Sequence, residues 1–226
     1  MTKYNIYIIC KNEEIFNKKK DLFKKYKKKV CHIQWIPAEY LTLTQCNKPL
    51  LKKLDTRYNT KKKSILAKLG CISAHRKALL SIFSNQTNNN LILEEDADLT
   101  GQLVSPPNNS CYMGGWIVPP QITKAGKEKV NIRPKKGINK IDYSKCKILT
   151  THSLFIKTHE EAIELLISLI KPEKLKNYDI HLADEQWFEY YYYPPQYIQG
   201  EHKSEIGGDG NLNHRRTNRY GLSMGN

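Results

Sequence analysis

The sequence predicts an α/β fold with a parallel sheet, and three observations carry that expectation. Residues 4–10, YNIYIIC, have the β-branched and aromatic content of a buried strand. Residues 13–30 follow with Ile15, Phe16, Leu22, Phe23, Tyr26 and Val30 on one face of a helix and lysines on the other. Residues 31–36, CHIQWI, read as the next strand. A strand, helix, strand opening points to parallel pairing, because parallel neighbours need a crossover connection.

The later elements follow in order. Residues 41–60 are irregular and polar. Residues 62–83 read as a helix, with Ile65, Leu69, Ile72, Leu79 and Phe83 near helical spacing, and SNQTNNN at 84–90 ends it. LILEEDADL at 91–99 is a short apolar strand that ends abruptly in acid. Pro106 and Pro107 mark a loop before a strand candidate at 111–118, CYMGGWIV. Residues 119–146 are basic and contain Pro119, Pro120, Gly126, Pro134 and Gly137, so they read as a long loop or flap. KILTTHSLFIK at 147–157 is the next strand. Thr158 and Glu161 form a T-x-x-E capping box for a helix running to about Ile170. Residues 178–200 combine a short helical piece with the aromatic run 190–193 and Pro194-Pro195. A single domain is expected over 1–206, with a flexible Gly-, Asn- and Arg-rich tail at 207–226.

Composition narrows the classes. A chain of 226 residues with 39% hydrophobic content can bury one real core. No stretch approaches the roughly 20 apolar residues of a membrane helix. The opening MTKYNIYIICKNEE lacks the basic start, apolar region and small-residue cleavage site of a signal peptide. A cytoplasmic protein, soluble or peripherally attached to a membrane, is expected. Cys10, Cys31, Cys46, Cys71, Cys111 and Cys146 are widely spaced and form no CxxC pair. That spacing argues for scattered buried thiols, and against a disulfide framework or a clustered zinc site. The net charge of +15 suggests an anionic partner: nucleic acid, an acidic membrane surface or a phosphorylated substrate. Much of it comes from lysine runs at 18–20, 27–29 and 61–63, in a chain also rich in Asn, Ile and Tyr. A biased genome produces that mix without functional demand.

The chemistry concentrates at 94–98. Glu94, Glu95, Asp96 and Asp98 come at once after a buried strand. Four carboxylates together repel each other and resist burial without a partner. In open α/β sheets ligands bind at the carboxyl ends of the strands, which is where this charge falls. A divalent cation is the natural neutraliser, and hard oxygen ligands suit manganese or magnesium. Strand alternation points Glu94, Asp96 and Asp98 one way and Glu95 the other while the chain stays extended. Asp96-Ala97-Asp98 is also a literal D-x-D. The bland reading is an acidic turn capping a helix N-terminus.

A second segment is Gly70-Cys71-Ile72-Ser73-Ala74-His75-Arg76. His75 lies four residues after Cys71 and four before Leu79, so it faces the apolar side of the helix. Packing and ligation both remain open there.

These pieces have an order. Gly70-Cys71 with His75 is followed by Leu93-Glu94-Glu95-Asp96, then by Thr151-His152 with Phe155. Asp179 with Leu182, Tyr193 with Pro195, and Gln199 with Ser204-Glu205-Ile206 complete it. The succession resembles glycosyltransferase family 25, the lipooligosaccharide and procollagen-type galactosyltransferases. That family runs G-C-x-x-S-H, L-E-D-D, T-H-x-Y/F, a late Asp, an aromatic-Pro stretch and Q-x-x-x-x-S-D-I. The likeness extends from about residue 4 to residue 206. Ala74 stands at the family's serine, Glu95 and Glu205 each replace an Asp, and Lys11 approximates the basic residue after the first strand.

The resemblance implies a GT-A-like nucleotide-sugar fold, with a central mixed, mostly parallel sheet flanked by helices. It implies a UDP-sugar donor (galactose or glucose), a manganese or magnesium ion, and a glycan, glycolipid or protein hydroxyl as acceptor. Inversion at the anomeric carbon would need a general base on the acceptor hydroxyl. Asp96 and Asp98 are the expected metal or ribose ligands, with Glu94 as the stand-in, Glu95 beside them and His202 closing over the metal or diphosphate. Asp179 is the candidate base, and Asp184 and Glu185 are runners-up. His75, His152, Gln199 and Ser204 match donor-site motifs. Gly114-Gly115 either lets a ligand approach the backbone or marks a bulge. The tyrosine run stacks on an acceptor sugar or alternates as an ordinary strand.

Two rivals stand beside this reading. A nucleic-acid binder or metal-dependent nuclease would use the lysine runs, the basic stretch 124–147 and His214-Arg215-Arg216. No recognised nucleic-acid module is present, and a pure binder leaves 94–98 unexplained. An inactive transferase relative would serve as a scaffold. No nucleic-acid partner is expected; peripheral contact with an anionic membrane fits the charge.

Overall fold

The computed structural model describes residues 2–38, 62–120, 130, 132–170 and 177–200. Strand β1 (Tyr4–Cys10) is buried along nearly its whole length. It lies between β2 (Val30–Pro37) and β3 (Asn90–Glu94) and runs parallel to both. A strand covered on both faces reads as a continuous apolar run, which is why 4–10 shows no polar alternation.

Helix α1 (Glu13–Leu22) starts where Asn12 Oδ1 accepts the Ile15 N–H at 3.0 Å. It ends at Leu22, before the expected Val30, and a 3₁₀ turn at Lys24–Tyr26 follows. The cause is local and topological. Five lysines between 24 and 29 would stack like charges along a continued helix. The chain must also turn back so that the Tyr4 N–H can reach Lys29 O at 2.8 Å.

The remaining elements are α2 (Lys62–Ser84), β4 (Ala97–Leu99), β5 (Cys111–Tyr112), β6 (Trp116–Val118), β7 (Gly137–Lys140) and β8 (Lys147–Leu149). They continue with β9 (Ser153–Ile156), α3 (His159–Ile170), α4 (Tyr178–Asp184), β10 (Tyr190–Tyr193) and β11 (Tyr197–Gln199). The main sheet has seven strands in the order β2-β1-β3-β9-β5-β10-β7. Strands β2, β1, β3, β5 and β10 run one way, and β9 and β7 run the other. The fold is therefore α/β with a mixed, mostly parallel central sheet flanked by helices.

Three expected strands each break in two at the same end of this sheet. The run 91–99 becomes β3 and β4, 111–118 becomes β5 and β6, and 147–157 becomes β8 and β9. The detached pieces form two antiparallel ribbons, β4 with β11 and β6 with β8. The breaks fall where the residues cannot continue an apolar sheet: Glu95-Asp96, Gly114-Gly115 and Thr150-Thr151. Gly115 turns the chain at φ +109.

The stretch 119–146 is not all loop. Within it β7 pairs antiparallel with β10 at the sheet edge, starting from Gly137 at φ +102. Residues 121–129 and 131 and the tail 207–226 lie outside the described residues.

Each face of the sheet has its own core. On one, Tyr7, Ile9, Ile92, Leu154 and Ile156 pack with Leu69, Ile72, Leu79 and Ile82 of α2 and Leu165 and Leu169 of α3. On the other, Ile6, Ile8, Cys10, Leu91, Leu93 and Phe155 pack with Phe23, Leu103, Met113 and Tyr197, and α1 leans in through Ile15 and Phe16. The capping box of α3 is half as expected. The Glu161 N–H donates to Thr158 Oγ1 at 3.2 Å, but the Glu161 carboxylate accepts from the Lys157 N–H and the Ser110 hydroxyl instead of Thr158. Cys10, Cys31, Cys71, Cys111 and Cys146 are free, and three of them are buried; Cys46 lies outside the described residues. Among the described residues, no helix is long and apolar enough to cross a membrane.

Candidate active site

The carboxyl ends of β1, β3, β5 and β10 and the start of β9 share one end of the sheet. The two ribbons continue from that end. Strand β3 delivers Glu94 there and stops, and the chain turns through Glu95 and Asp96 before β4 begins. The turn cancels the simple alternation expected over 94–98, so each acid finds a different neighbour.

Glu94 turns toward α2. The His75 Nε2–H donates to Glu94 Oε1 at 2.9 Å, and the Cys71 thiol approaches the same oxygen at 3.8 Å. Thr151 adds a hydroxyl bond. Burial pushes the Glu94 carboxyl up, but the bonds from His75 and Thr151 outweigh it and hold the group below its ordinary value. Burial, and after it the charges of Glu94 and Asp179, keep the Cys71 thiol protonated. Among the described residues, Cys71, His75 and Glu94 bring one thiol sulfur, one ring nitrogen and one carboxylate oxygen within 4.8 Å of one another.

Glu95 turns back to the end of β1, where its Oε2 accepts the Lys11 N–H at 3.1 Å. Asp98 turns to α1, where Lys19 Nζ donates to its Oδ1 at 2.9 Å. Asp96 faces β11. Gln199 Nε2 donates to Asp96 Oδ2 at 2.7 Å, and the Gly200 N–H donates to Asp96 O at 2.7 Å. Asp96 Oδ1 is buried and has no hydrogen-bond partner among the described residues. Burial, then the charge of Glu94, pushes the Asp96 carboxyl up to about 7 against the pull of Gln199 and Lys19.

His75 is fully buried, with its ring 4.4 Å from that of Tyr178, the first residue of α4. Its Nδ1 has no partner among the described residues. His152 is buried between the broken strands. Its Nε2–H donates to Tyr197 O at 3.3 Å, which leaves Nδ1 to accept from the Thr150 hydroxyl at 2.6 Å. Burial holds this imidazole neutral by pulling its pKa down. The two glycines have an intrachain reason. A Cβ on Gly114 would strike Tyr197 O and sit 2.5 Å from His152 Nε2 and Ser153 Oγ, and one on Gly115 would meet Thr150 Cγ2 at 2.6 Å.

Asp179 opens α4, and its Oδ1 accepts the Ile180 N–H at 2.8 Å. Its charge reaches Cys71, Lys68 and Tyr112, so it belongs to the same neighbourhood as Glu94. The runner-up Asp184 is ion-paired with Lys147 at 2.7 Å, and Glu185 caps the end of α4. The fold thus brings Glu94, Glu95, Asp96, Asp98, His75, His152, Gly114, Gln199 and Asp179 toward one end of the sheet. His202 and Ser204 lie outside the described residues.

Lys19, Lys68 and Tyr178 join the site with no motif in the sequence to mark them. Cys71 and His75 at helical spacing carried a signal, whereas Lys19 is hidden inside a lysine run. The donors divide by chemistry. Asp96 offers a hard oxygen lacking a partner among the described residues, which suits manganese or magnesium. The Cys71–His75–Glu94 set is softer and is already joined by its own hydrogen bonds. No family model matches the chain, and no curated protein matches it either.

Proposed function

We propose that this chain is a GT-A-like glycosyltransferase that moves a hexose, galactose or glucose, from a UDP-sugar to a hydroxyl of a glycan, glycolipid or protein, with inversion. The observation that carries the reading is Asp96: it follows a central strand at the ligand end of the sheet, and its buried Oδ1 lacks a partner among the described residues. The order of motifs shared with glycosyltransferase family 25 supports it, because Gln199 of the last motif bonds Asp96 and His75 of the first bonds the neighbouring Glu94.

Asp96 would hold a manganese or magnesium ion, with Glu95 beside it and His202 as a further ligand. Such an ion neutralises the charge that grows on a departing diphosphate. Gln199 orients Asp96 through its 2.7 Å bond. His152 fixes Tyr197, and with it the β11 ribbon that carries Gln199. Glu94, held by His75, keeps a negative charge behind Asp96. Asp179 takes the proton from the acceptor hydroxyl as it attacks. The enzyme works on the cytoplasmic side, free or resting on an anionic membrane through its lysines.

Calorimetric titration with UDP, the expected leaving group, tests the reading. UDP should bind with manganese present, fail to bind in chelator, and bind at least about tenfold more weakly to Asp96→Asn. Equal binding with and without metal would sink the assignment of Asp96.

A further inference from the structure

The acid run 94–98 reads as a D-x-D, yet its carboxylates are shared among four elements. Glu94 belongs to α2 through His75, Glu95 to the end of β1 through Lys11, Asp96 to β11 through Gln199, and Asp98 to α1 through Lys19. Lys19 differs from the other lysines of its helix. Its side chain is only 11% exposed, while Lys18 is 72% exposed. Its ammonium makes two bonds at once, 2.9 Å to Asp98 Oδ1 and 2.7 Å to the Ala97 carbonyl.

We infer that Lys19 is a positioning residue of this site: it withdraws Asp98 from the cation and leaves Asp96 as the carboxylate of the pair that holds it. This rests on the transferase reading above. Three arguments carry it. An ammonium and a divalent ion cannot share one carboxylate without repulsion, and a desolvated lysine stripped of its partner is costly. Lys19 holds the main chain at Ala97, between the two aspartates, while Gly200 holds the carbonyl of Asp96 from the β11 side. The turn is therefore clamped from α1 and from β11, and the clamp fixes where Asp96 points. Finally, the buried carboxylate oxygen that lacks a partner among the described residues belongs to Asp96, while Asp98 is 50% exposed and already neutralised. The D-x-D is then one ligand and one anchor.

Manganese alone is the probe, titrated into the full chain and followed by the electron paramagnetic resonance of the free ion. Asp96→Asn should weaken binding by about tenfold or more. Asp98→Asn should change it by less than about threefold while Lys19 is present, as expected of a group outside the ligand set. In the Lys19→Met background Asp98 is released, and adding Asp98→Asn should then cost more than about fivefold, a coupling that a merely structural lysine does not produce. Lys19→Arg, which keeps the cation, should behave as the parent chain.

Equal losses in Asp96→Asn and Asp98→Asn with Lys19 present would overturn the inference and spare the transferase reading. A parent chain that binds no manganese would overturn both. If Lys19→Met does not fold, as judged by circular dichroism, the comparison of the two aspartate variants decides alone.

Discussion

Gly114 shows how tightly single residues are fixed at this end of the sheet. A methyl there meets the Tyr197 carbonyl, His152 and Ser153, and backbone does not yield as a flexible side chain does. Gly114→Ala should destabilise by about 1–3 kcal/mol in urea unfolding. Gly101→Ala, with nothing within 4 Å of the added Cβ, should stay within about 0.5 kcal/mol. Asp96 makes a pH prediction. Its carboxyl is raised from 3.8 to about 7, first by burial and then by Glu94. Between those values the folded protein binds a proton that the unfolded chain has lost, so this group's contribution falls as pH rises through the window. In chelator, Asp96→Asn should therefore raise the melting temperature at pH 8 and leave it nearly unchanged below pH 3.8. An equal shift at both pH values would mean that burial of the charge is not what matters. Asp96 was legible from its place after an apolar strand. Its partners were not, because Gln199 lies 103 residues away and Lys19 looks like its solvated neighbours.

At the scale of elements, the periodic segments were legible and the pieces beyond their ends were not. Strand β1 and helices α2 and α3 carry unbroken apolar patterns, and they lie close to where those patterns put them. Helix α1 ends before its apolar pattern does, because Phe23 and Tyr26 keep helical spacing past its end, through a 3₁₀ turn. The residues at the strand breaks stand out in the sequence, but the ribbons beyond them do not, because β4 finds its partner in the distant β11 and β6 in β8. Strand β7 leaves no apolar signature in the sequence, because Gly137–Lys140 is an edge strand whose one large apolar residue, Ile138, is exposed. The start of α3 gives an element-scale test. Thr158→Ala removes the cap on the Glu161 N–H and should cost about 1 kcal/mol by thermal or urea unfolding. Thr158→Ser should recover most of it.

At the scale of the whole molecule, a mixed sheet with both faces buried ends in two ribbons, and the acid run sits among them. That acid stands out against a chain of net charge +15. A net charge of +15 attracts anions in general, and salt screens that attraction. Sedimentation with vesicles rich in anionic lipid should retain the protein at low ionic strength and release it at about 0.5 M salt, with neutral vesicles inactive throughout. Retention that ignores salt would argue for an apolar contact instead. The measurement that bears most directly on the proposed activity is hydrolysis of a panel of UDP-sugars without acceptor, with manganese or with chelator, by the parent chain and Asp96→Asn. Turnover of one UDP-sugar that needs manganese and disappears in Asp96→Asn is the expected result. No turnover of any UDP-sugar, together with tight, salt-sensitive binding to DNA or RNA, would contradict the transferase and favour a nucleic-acid function.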